Sequence, residues 1–275
     1  MQLLLCSDGA PGSEAALTLG SRLAIQLQAQ VTALGASDRP ERASALARAL
    51  DEVCAILHSA GLTCEPLQRA GNPAHEIVAQ AAQETYNLIV IGALEQSRIN
   101  RWLHGSLVRR VLSEVTVPVL VVPTGRPALH DILLCSGDLW YPAKTIQLVG
   151  QIAQATGAHV TLLYVTPQPQ LHYPILREVE DAWGALLQTD TSQGRNLKAG
   201  REQLRGLGIE TGVQLRHGPV EAQILAEIQE GEYDLVALGS TYAAHGLRRH
   251  FVNSITDFVV ERAARPVLVV RNPEA

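Results

Sequence analysis

Residues 86–92 read Tyr-Asn-Leu-Ile-Val-Ile-Gly, and the pattern returns 147 positions later as Tyr-Asp-Leu-Val-Ala-Leu-Gly at residues 233–239. Each stretch holds four consecutive apolar residues followed by a glycine. A short, continuous apolar run of this kind is typical of a strand that is buried on both faces of a parallel sheet. The pair of stretches therefore indicates a chain that contains two copies of one α/β unit.

The repeat extends outward from these strands in both directions. Leu-Leu-Cys-Ser at residues 4–7 recurs at residues 133–136, an offset of 129. Pro-Val-Leu-Val-Val at residues 118–122 recurs at residues 266–270, an offset of 148. Self-similarity over this length means that each half is one structural unit.

The sequence shows where the two copies join and where the second copy has an insertion. Two prolines and a glycine at residues 123–127 are typical of a linker, so we predict one domain at residues 1–125 and a second at residues 126–275. The growth of the offset from 129 to 147 adds 18 residues to the second copy. We assign them to the Pro- and Gln-rich stretch from 167 to about 195.

Within the first copy, β-rich runs alternate with longer segments of helical period, which predicts βαβ units. The predicted strands are Gln2–Cys6, Val31–Ala36, Leu62–Arg69, Asn87–Gly92 and Val117–Val122. The predicted helices are Ser13–Gln28, Arg42–Ala60, Pro73–Glu84 and Ser106–Glu114. We therefore predict two tandem doubly wound domains, each with a five-stranded parallel sheet. Ligands of such sheets bind at the carboxyl ends of the strands, near the switch in strand order.

The composition excludes several classes of protein. Of the 275 residues, 47% are hydrophobic and 18% are charged, which is typical of a globular rather than a disordered chain. A net charge of -5 lacks the basic excess that phosphate-backbone binding needs, so we expect no nucleic-acid partner. We see neither a secretory signal nor an apolar run near the ~18 residues of a membrane helix. We therefore expect a cytoplasmic protein with no membrane partner.

The cysteines and histidines show no metal-ligand spacing. Cys6, Cys54, Cys64 and Cys135 include no Cys-x-x-Cys pair, and the nine histidines form no His-Glu-x-x-His motif. We expect four reduced, mostly buried thiols and no metal site. A redox role for Cys6 or Cys135 would require a lowered thiol pKa.

The segment after the fourth strand carries the first candidate for a binding site. Gly92 ends the strand, and Gly105-Ser106 follows 13 positions later. Glycine lets backbone amides approach a ligand, and a Gly-Ser pair that opens a helix offers N–H groups and a hydroxyl to an anion. A tight turn followed by an ordinary N-cap explains the same residues. The residues alone leave both interpretations open.

The whole chain resembles a tandem universal stress protein. Units of this family open with an apolar strand that ends in a small residue and Asp, and they close with a Pro-Val-Leu-Val-Val strand. In the nucleotide-binding branch, the fourth strand is followed by glycine, two residues, glycine, nine residues, and Gly-Ser or Gly-Thr. The first copy matches at Asp8, Gly92, Gly105 and Ser106, but Glu95 occupies the second glycine position. A carboxylate there disfavours polyphosphate.

The resemblance implies an adenine nucleotide alpha-hydrolase-like fold with a nucleotide site in the first domain. The adenine would lie near Asp8 and the backbone around Ala36, with the phosphates over the glycine loop. The implied binding residues are Asp8, Ala36, Gly92, Gly105, Ser106 and Leu107. The ligand would be ATP, with AMP or ADP as alternatives, and Mg²⁺ would accompany it.

The second copy departs further from the family pattern. Tyr242 occupies the second glycine position, Asn253 replaces the third glycine, and Gly137 occupies the aspartate position. Side chains at glycine positions restrict the backbone angles and the close approach of a ligand, so we expect this site to be degenerate. Its weaker candidate residues are Val165, Gly239, Ser240 and Ser254.

The last strand of each copy is apolar and carries no charge, so an exposed edge would favour aggregation. In the family, this strand pairs with its counterpart from a second unit. The resemblance therefore implies that the two domains pair within one chain through their last strands. A further homodimer of such chains is also compatible with the sequence.

Three functions remain open at this stage. The first is a stress-response protein that binds an adenine nucleotide and regulates partners without turnover. The alternative is a scaffold in which both pockets are degenerate. The third is a slow ATPase, although no Walker-type lysine or general base accompanies the glycine loop. We assign no catalytic residue.

Overall fold

The structure is a computed structural model that describes residues 1–92, 101–123, 129–135, 143–166, 192–242 and 248–273. The chain divides into two compact units. The first unit contains residues 1–128 and 264–271, and the second contains residues 129–263 and 272–275.

Strands and helices alternate along the first unit. Its elements are β1 (Gln2–Ser7), α1 (Pro11–Leu27), β2 (Gln30–Ser37), a short 3-10 turn (Pro40–Arg42), α2 (Ala43–Ser59), β3 (Cys64–Ala70), α3 (Pro73–Gln83), β4 (Leu88–Gly92), α4 (Arg101–Glu114) and β5 (Val119–Val122). The parallel strands follow the order β3-β2-β1-β4-β5. Residues 267–269 of β10 (Val267–Pro273) pair antiparallel with residues 119–121 of β5.

The apolar runs of the sequence form the centre of this sheet. Leu3, Leu4 and Leu5 of β1 are fully buried, as are residues 88–90 of β4. Residues 119–122 of β5 and 267–270 of β10 are also buried. Continuous burial is expected where helices cover both faces of a parallel sheet.

The second unit repeats this plan. Its elements are β6 (Asp131–Cys135), α5 (Ala143–Thr156), β7 (His159–Thr166), α6 (Ser192–Gly206), β8 (Thr211–His217), α7 (Val220–Glu230), β9 (Leu235–Tyr242) and α8 (Arg248–Arg262). The parallel strands follow the order β9-β6-β7-β8, which matches β4-β1-β2-β3 of the first unit. The predicted tandem α/β fold is confirmed.

The predicted strands of the first copy agree with the observed ones to within two residues at each end. The largest difference concerns α4, which begins at Arg101 and not at Ser106. Residues 101–104 contain no proline, and one glycine inside a helix costs only about 1 kcal/mol. The helix therefore continues upstream through Gly105, and the Gly105-Ser106 pair falls in its second turn.

The expectation of four reduced thiols is wrong for one pair. Cys54 and Cys64 form a disulfide, with their Cα atoms 5.2 Å apart. Because α2 packs on β2 and β3 pairs with β2, the end of the helix returns beside the start of the strand. This approach depends on the tertiary fold, so the spacing of ten residues carries no recognisable disulfide signal. The expectation is confirmed for Cys6 and Cys135, which are free and buried.

No helix within the described ranges is long and apolar enough to cross a membrane. Among the same residues, no group of three or more His, Cys, Asp or Glu side chains could hold a metal ion.

Candidate functional site

A hollow opens in the first unit at the carboxyl ends of β1 and β4. It is a small depression that opens to solvent. β1 lies between β2 and β4, so the strand order reverses at this point. Open α/β sheets bind ligands at such a position. The residues around the hollow are Cys6, Ser7, Asp8, Ser13, Pro73, Ile77, Ile91, Gly92 and Leu107.

Two serine hydroxyls form part of the hollow, and both serines are buried. The Oγ atoms of Ser7 and Ser13 lie 2.8 Å apart. Ser13 Oγ donates to the carbonyl oxygen of Ala10 at 2.7 Å, so the hydrogen between the two hydroxyls belongs to Ser7. Ser7 Oγ also accepts from the backbone N–H of Gly9 at 3.2 Å. These bonds hold the β1–α1 turn against the sheet.

Asp8 lies at the rim of the hollow, directly after β1. Its Oδ1 accepts from the backbone N–H of Ala10 at 3.0 Å. Its Oδ2 lies 3.4 Å from Nη1 of Arg42, and the same nitrogen lies 3.3 Å from the carbonyl oxygen of Asp8. The two side chains are 14% and 28% exposed, so the carboxylate is held in place while part of it still faces solvent.

The contact of Arg42 with Asp8 was not predicted from the sequence. Arg42 is the N-cap residue of α2, and its side chain makes no cap bond to that helix. A cation is unfavourable at a helix N-terminus, because the helix dipole is positive there. Its position was therefore a signal that the guanidinium has an acidic partner elsewhere, and that partner is Asp8.

Gly92 has a structural reason to be glycine. A Cβ atom at this position would lie 2.8 Å from the carbonyl oxygen of Gly12 and 2.9 Å from Cα of Ser13. These distances are shorter than real Cβ contacts, so the end of β4 and the first turn of α1 approach closely only because residue 92 has no side chain. Gly92 is required by packing, whether or not a ligand binds.

The walls of the hollow are apolar. α3 contributes Pro73 and Ile77, β4 contributes Ile91, and α4 contributes Leu107. Apolar walls with a few fixed polar groups are typical of small-molecule binding sites.

The structure brings together three of the six residues predicted for this site. Asp8, Gly92 and Leu107 all border the hollow. Ala36 is buried in β2, 1% exposed, and is not among the residues that line the hollow. Gly105 and Ser106 lie in α4, but their side chains are outside the described part of the structure, as is the loop from residue 93 to 100 with Glu95.

The candidates in the second half are described only in part. Val165 lies in β7 and is 9% exposed, and Gly239 lies in β9. Ser240 lies in β9 and Ser254 in α8, but their side chains are not described. The difference between the two sites therefore stays a prediction from the sequence.

Cys6 and Cys135 occupy matched positions in β1 and β6, and each is 3% exposed. Burial raises the pKa of the Cys6 thiol far above its ordinary value. Burial also raises the pKa of Cys135, and the charge of Glu227 adds to the effect. Both thiols stay protonated, so neither supplies a nucleophilic thiolate.

Comparison with known proteins gives a consistent result for both halves. Residues 1–123 and residues 131–271 each match the model of the universal stress protein family. A universal stress protein from Archaeoglobus fulgidus DSM 4304 has a similar structure, with 20% identity, coverage of 98% of both chains and a TM-score of 0.70. A functionally unknown protein from Pseudomonas aeruginosa PAO1 has 16% identity, coverage of 98% of this chain and 92% of its own, and a TM-score of 0.69. No curated protein matches the chain in sequence.

Proposed function

The chain belongs to the universal stress protein family, and from this premise we propose that its first half binds an adenine nucleotide. The bound nucleotide regulates the association of the protein with partners in a stress response and is not turned over. The main observation behind this proposal is the hollow between the carboxyl ends of β1 and β4, which borders Asp8, Gly92 and Leu107.

The chemistry of the hollow suits adenine. The apolar side chains of Ile77, Ile91 and Leu107 can contact the faces of the ring. The Asp8 carboxylate, already oriented by the N–H of Ala10, can accept a hydrogen bond from the exocyclic amine. A hydrogen bond to a charged group contributes about 1.5–3 kcal/mol, so Asp8 favours adenine over a ring with a carbonyl at that position.

The nucleotide in this proposal is ATP, with AMP and ADP as the alternatives. The phosphates extend toward Gly105 and Ser106, as the family resemblance implies, and Mg²⁺ accompanies a polyphosphate. The second half does not bind, because Tyr242 and Asn253 replace two glycines of the family pattern.

We also propose that the two halves pair through their last strands. The antiparallel register of residues 267–269 with residues 119–121 supports this pairing. A homodimer of such chains, and a location in the cytoplasm, belong to the same proposal. Sedimentation of the purified chain and fractionation of cells test these two points.

Calorimetric titration of nucleotide-stripped protein with ATP and Mg²⁺ tests the proposal. We expect one site per chain. Gly105→Asp places a carboxylate near the phosphates and abolishes binding, whereas Asn253→Asp, the matched change 148 positions later, leaves it unchanged. Asp8→Asn weakens binding by about tenfold or more, because it removes a charged acceptor.

Three other outcomes of these experiments would each contradict part of the proposal. Two sites per chain would show that the second half is intact. The absence of binding in wild-type protein with a native circular dichroism spectrum would favour the scaffold function. Release of phosphate that requires Ser106 would show that the protein is an ATPase.

A further inference from the structure

A disulfide joins the last turns of α2 to the first residue of β3 in the first unit. We propose that Cys54 and Cys64 are a reversible thiol–disulfide exchange site, which reacts with low-molecular-weight thiols and disulfides and locks α2 to β3. This inference does not rest on nucleotide binding.

The bond lies at an accessible edge of the unit. β3 is the outer strand in the order β3-β2-β1-β4-β5, and five of its seven residues are exposed. Cys54 is only 5% exposed, whereas Cys64 is partly exposed. A small thiol therefore reaches the Cys64 sulfur first, and Cys54 is the leaving group.

The fold does not require the bond, because the second half has the same arrangement without it. The positions 147 residues after Cys54 and Cys64 hold Arg201 and Thr211. The strand register is also matched, since Val31 pairs with Cys64 and Val160 pairs with Thr211. The second unit thus shows that a helix and an edge strand pack in this way without a covalent bond.

The first unit also holds α2 in place by other means. Leu46, Leu50, Val53 and Leu57 bury one face of the helix. The side-chain amide of Gln68 on β3 donates to the carbonyl oxygen of Ala43 at the start of α2, at 2.8 Å. The dithiol form therefore stays folded, which is a condition for a reversible reaction in the native protein.

The exchange balances in atoms and electrons. A thiolate attacks the Cys64 sulfur, a mixed disulfide forms, and Cys54 leaves as a thiolate that takes a proton from water. A second thiol molecule then attacks the mixed disulfide on the sulfur of the small thiol. The products are a small-molecule disulfide and the Cys64 thiol, so the protein gains two electrons and two protons. Oxidation runs the same steps in reverse.

The test uses the full chain incubated with glutathione and glutathione disulfide at a series of ratios. Alkylation under native conditions followed by mass spectrometry counts the reactive thiols. We expect labelling of the partly exposed Cys64 to rise and fall reversibly with the ratio, whereas Cys54, at 5% exposure, is labelled only once the quenched protein is denatured. Cys6 and Cys135 are buried, so we expect them to stay unlabelled under native conditions at every ratio and to serve as internal controls.

Hydrogen exchange measured on the same samples reports the consequence for the fold. Reduction should speed exchange several-fold at the end of α2 and in β3, while α6 and β8 of the second unit stay unchanged. The double variant Cys54→Ser, Cys64→Ser should show the fast rates in every buffer.

Three results would overturn the inference. Free thiols at both positions after equilibration with excess glutathione disulfide would show that the bond does not form. A bond that is reduced only when the protein unfolds would be purely structural. Exchange rates that do not respond to reduction would mean that the bond does not lock α2 to β3.

Discussion

The two halves share one strand order, yet a matched pair of positions differs between them: Gln80 and Tyr86 in the first half correspond to Glu227 and Tyr233 in the second. In the first half, the Tyr86 hydroxyl accepts from the amide of Gln80 at 3.0 Å and donates to Glu84 at 2.8 Å. In the second half, 147 positions later, Tyr233 donates to the buried carboxylate of Glu227 at 2.6 Å. An amide is neutral, whereas a buried carboxylate requires a counter-ion.

Arg216 supplies that counter-ion in the second half. Its Nε lies 2.5 Å from Glu227, and its Nη2 lies 2.5 Å from Glu230. The matched residue of the first half, Arg69, is exposed on β3. The replacement of the Gln80 amide by the Glu227 carboxylate thus accompanies a change of the matched arginine from an exposed side chain to an ion-pair partner. The halves also differ in a covalent bond: the first has the Cys54–Cys64 disulfide, and the matched residues of the second are Arg201 and Thr211.

The largest expected effect comes from removing this counter-ion. Arg216→Met leaves Glu227 buried without its cation, and we expect a loss of about 3 kcal/mol in the free energy of unfolding. Arg69→Met changes an exposed side chain, so its effect should stay within about 0.5 kcal/mol. Urea denaturation of the two variants measures the difference. Equal effects would show that the matched arginines have equivalent roles.

The disulfide provides the next comparison. Cys54→Ser combined with Cys64→Ser should lower the free energy of unfolding by about 2–3 kcal/mol, because the bond closes a loop in the unfolded chain. The reciprocal change, Arg201→Cys with Thr211→Cys, should create a bond in the second half and raise its stability. Thermal unfolding without reductant tests both. An unchanged midpoint in the serine variant would contradict the account.

The two tyrosines should also differ. Burial raises the pKa of Tyr86 and, more strongly, that of Tyr233, so both phenols remain protonated donors. Tyr233→Phe removes the hydrogen bond to a buried carboxylate and should cost about 2 kcal/mol, whereas Tyr86→Phe should cost about 1 kcal/mol. Denaturant titration measures both values, and a larger loss for Tyr86→Phe would reverse the comparison.

The smallest effect concerns the acid stability of the second half. The hydrogen bond from Arg216 lowers the pKa of Glu230 in the folded state. The ion pair therefore stabilises the fold fully above the ordinary glutamate pKa of about 4.3, and this stabilisation is lost as the pH falls through the lowered pKa. Glu230→Gln should flatten this part of the pH profile of thermal stability. An identical slope in both proteins would exclude the effect. In the first half, the residue that matches Glu230 is Gln83, which is uncharged, so this position contributes no such pH dependence there.

Much of the fold could be predicted because the signals are local. Apolar runs such as residues 88–91 predict buried strands directly, and their recurrence predicts the tandem arrangement. Asp8 and Gly92 were assigned to one site through the family resemblance, and both border the hollow because the neighbouring parallel strands β1 and β4 end at the same edge of the sheet.

The features that sequence analysis missed depend on the folded chain. The Cys54–Cys64 bond and the Arg42–Asp8 ion pair join residues that are separated in sequence and meet only after α2 packs on β2. Gly92 was assigned to a phosphate loop by resemblance, and its close contact with Gly12 and Ser13 appeared only in three dimensions. The start of α4 was misplaced because a glycine was given too much weight as a helix boundary.

The central claim is that the first half, and not the second, holds the nucleotide. Amide NMR of the full chain titrated with ATP and Mg²⁺ tests this claim directly. We predict shifts for Cys6, Asp8, Gly92 and Leu107, with Cys135 and Gly239, which match Cys6 and Gly92 in the second half, unchanged. Shifts at Cys135 and Gly239, or no shift in either half, would contradict it.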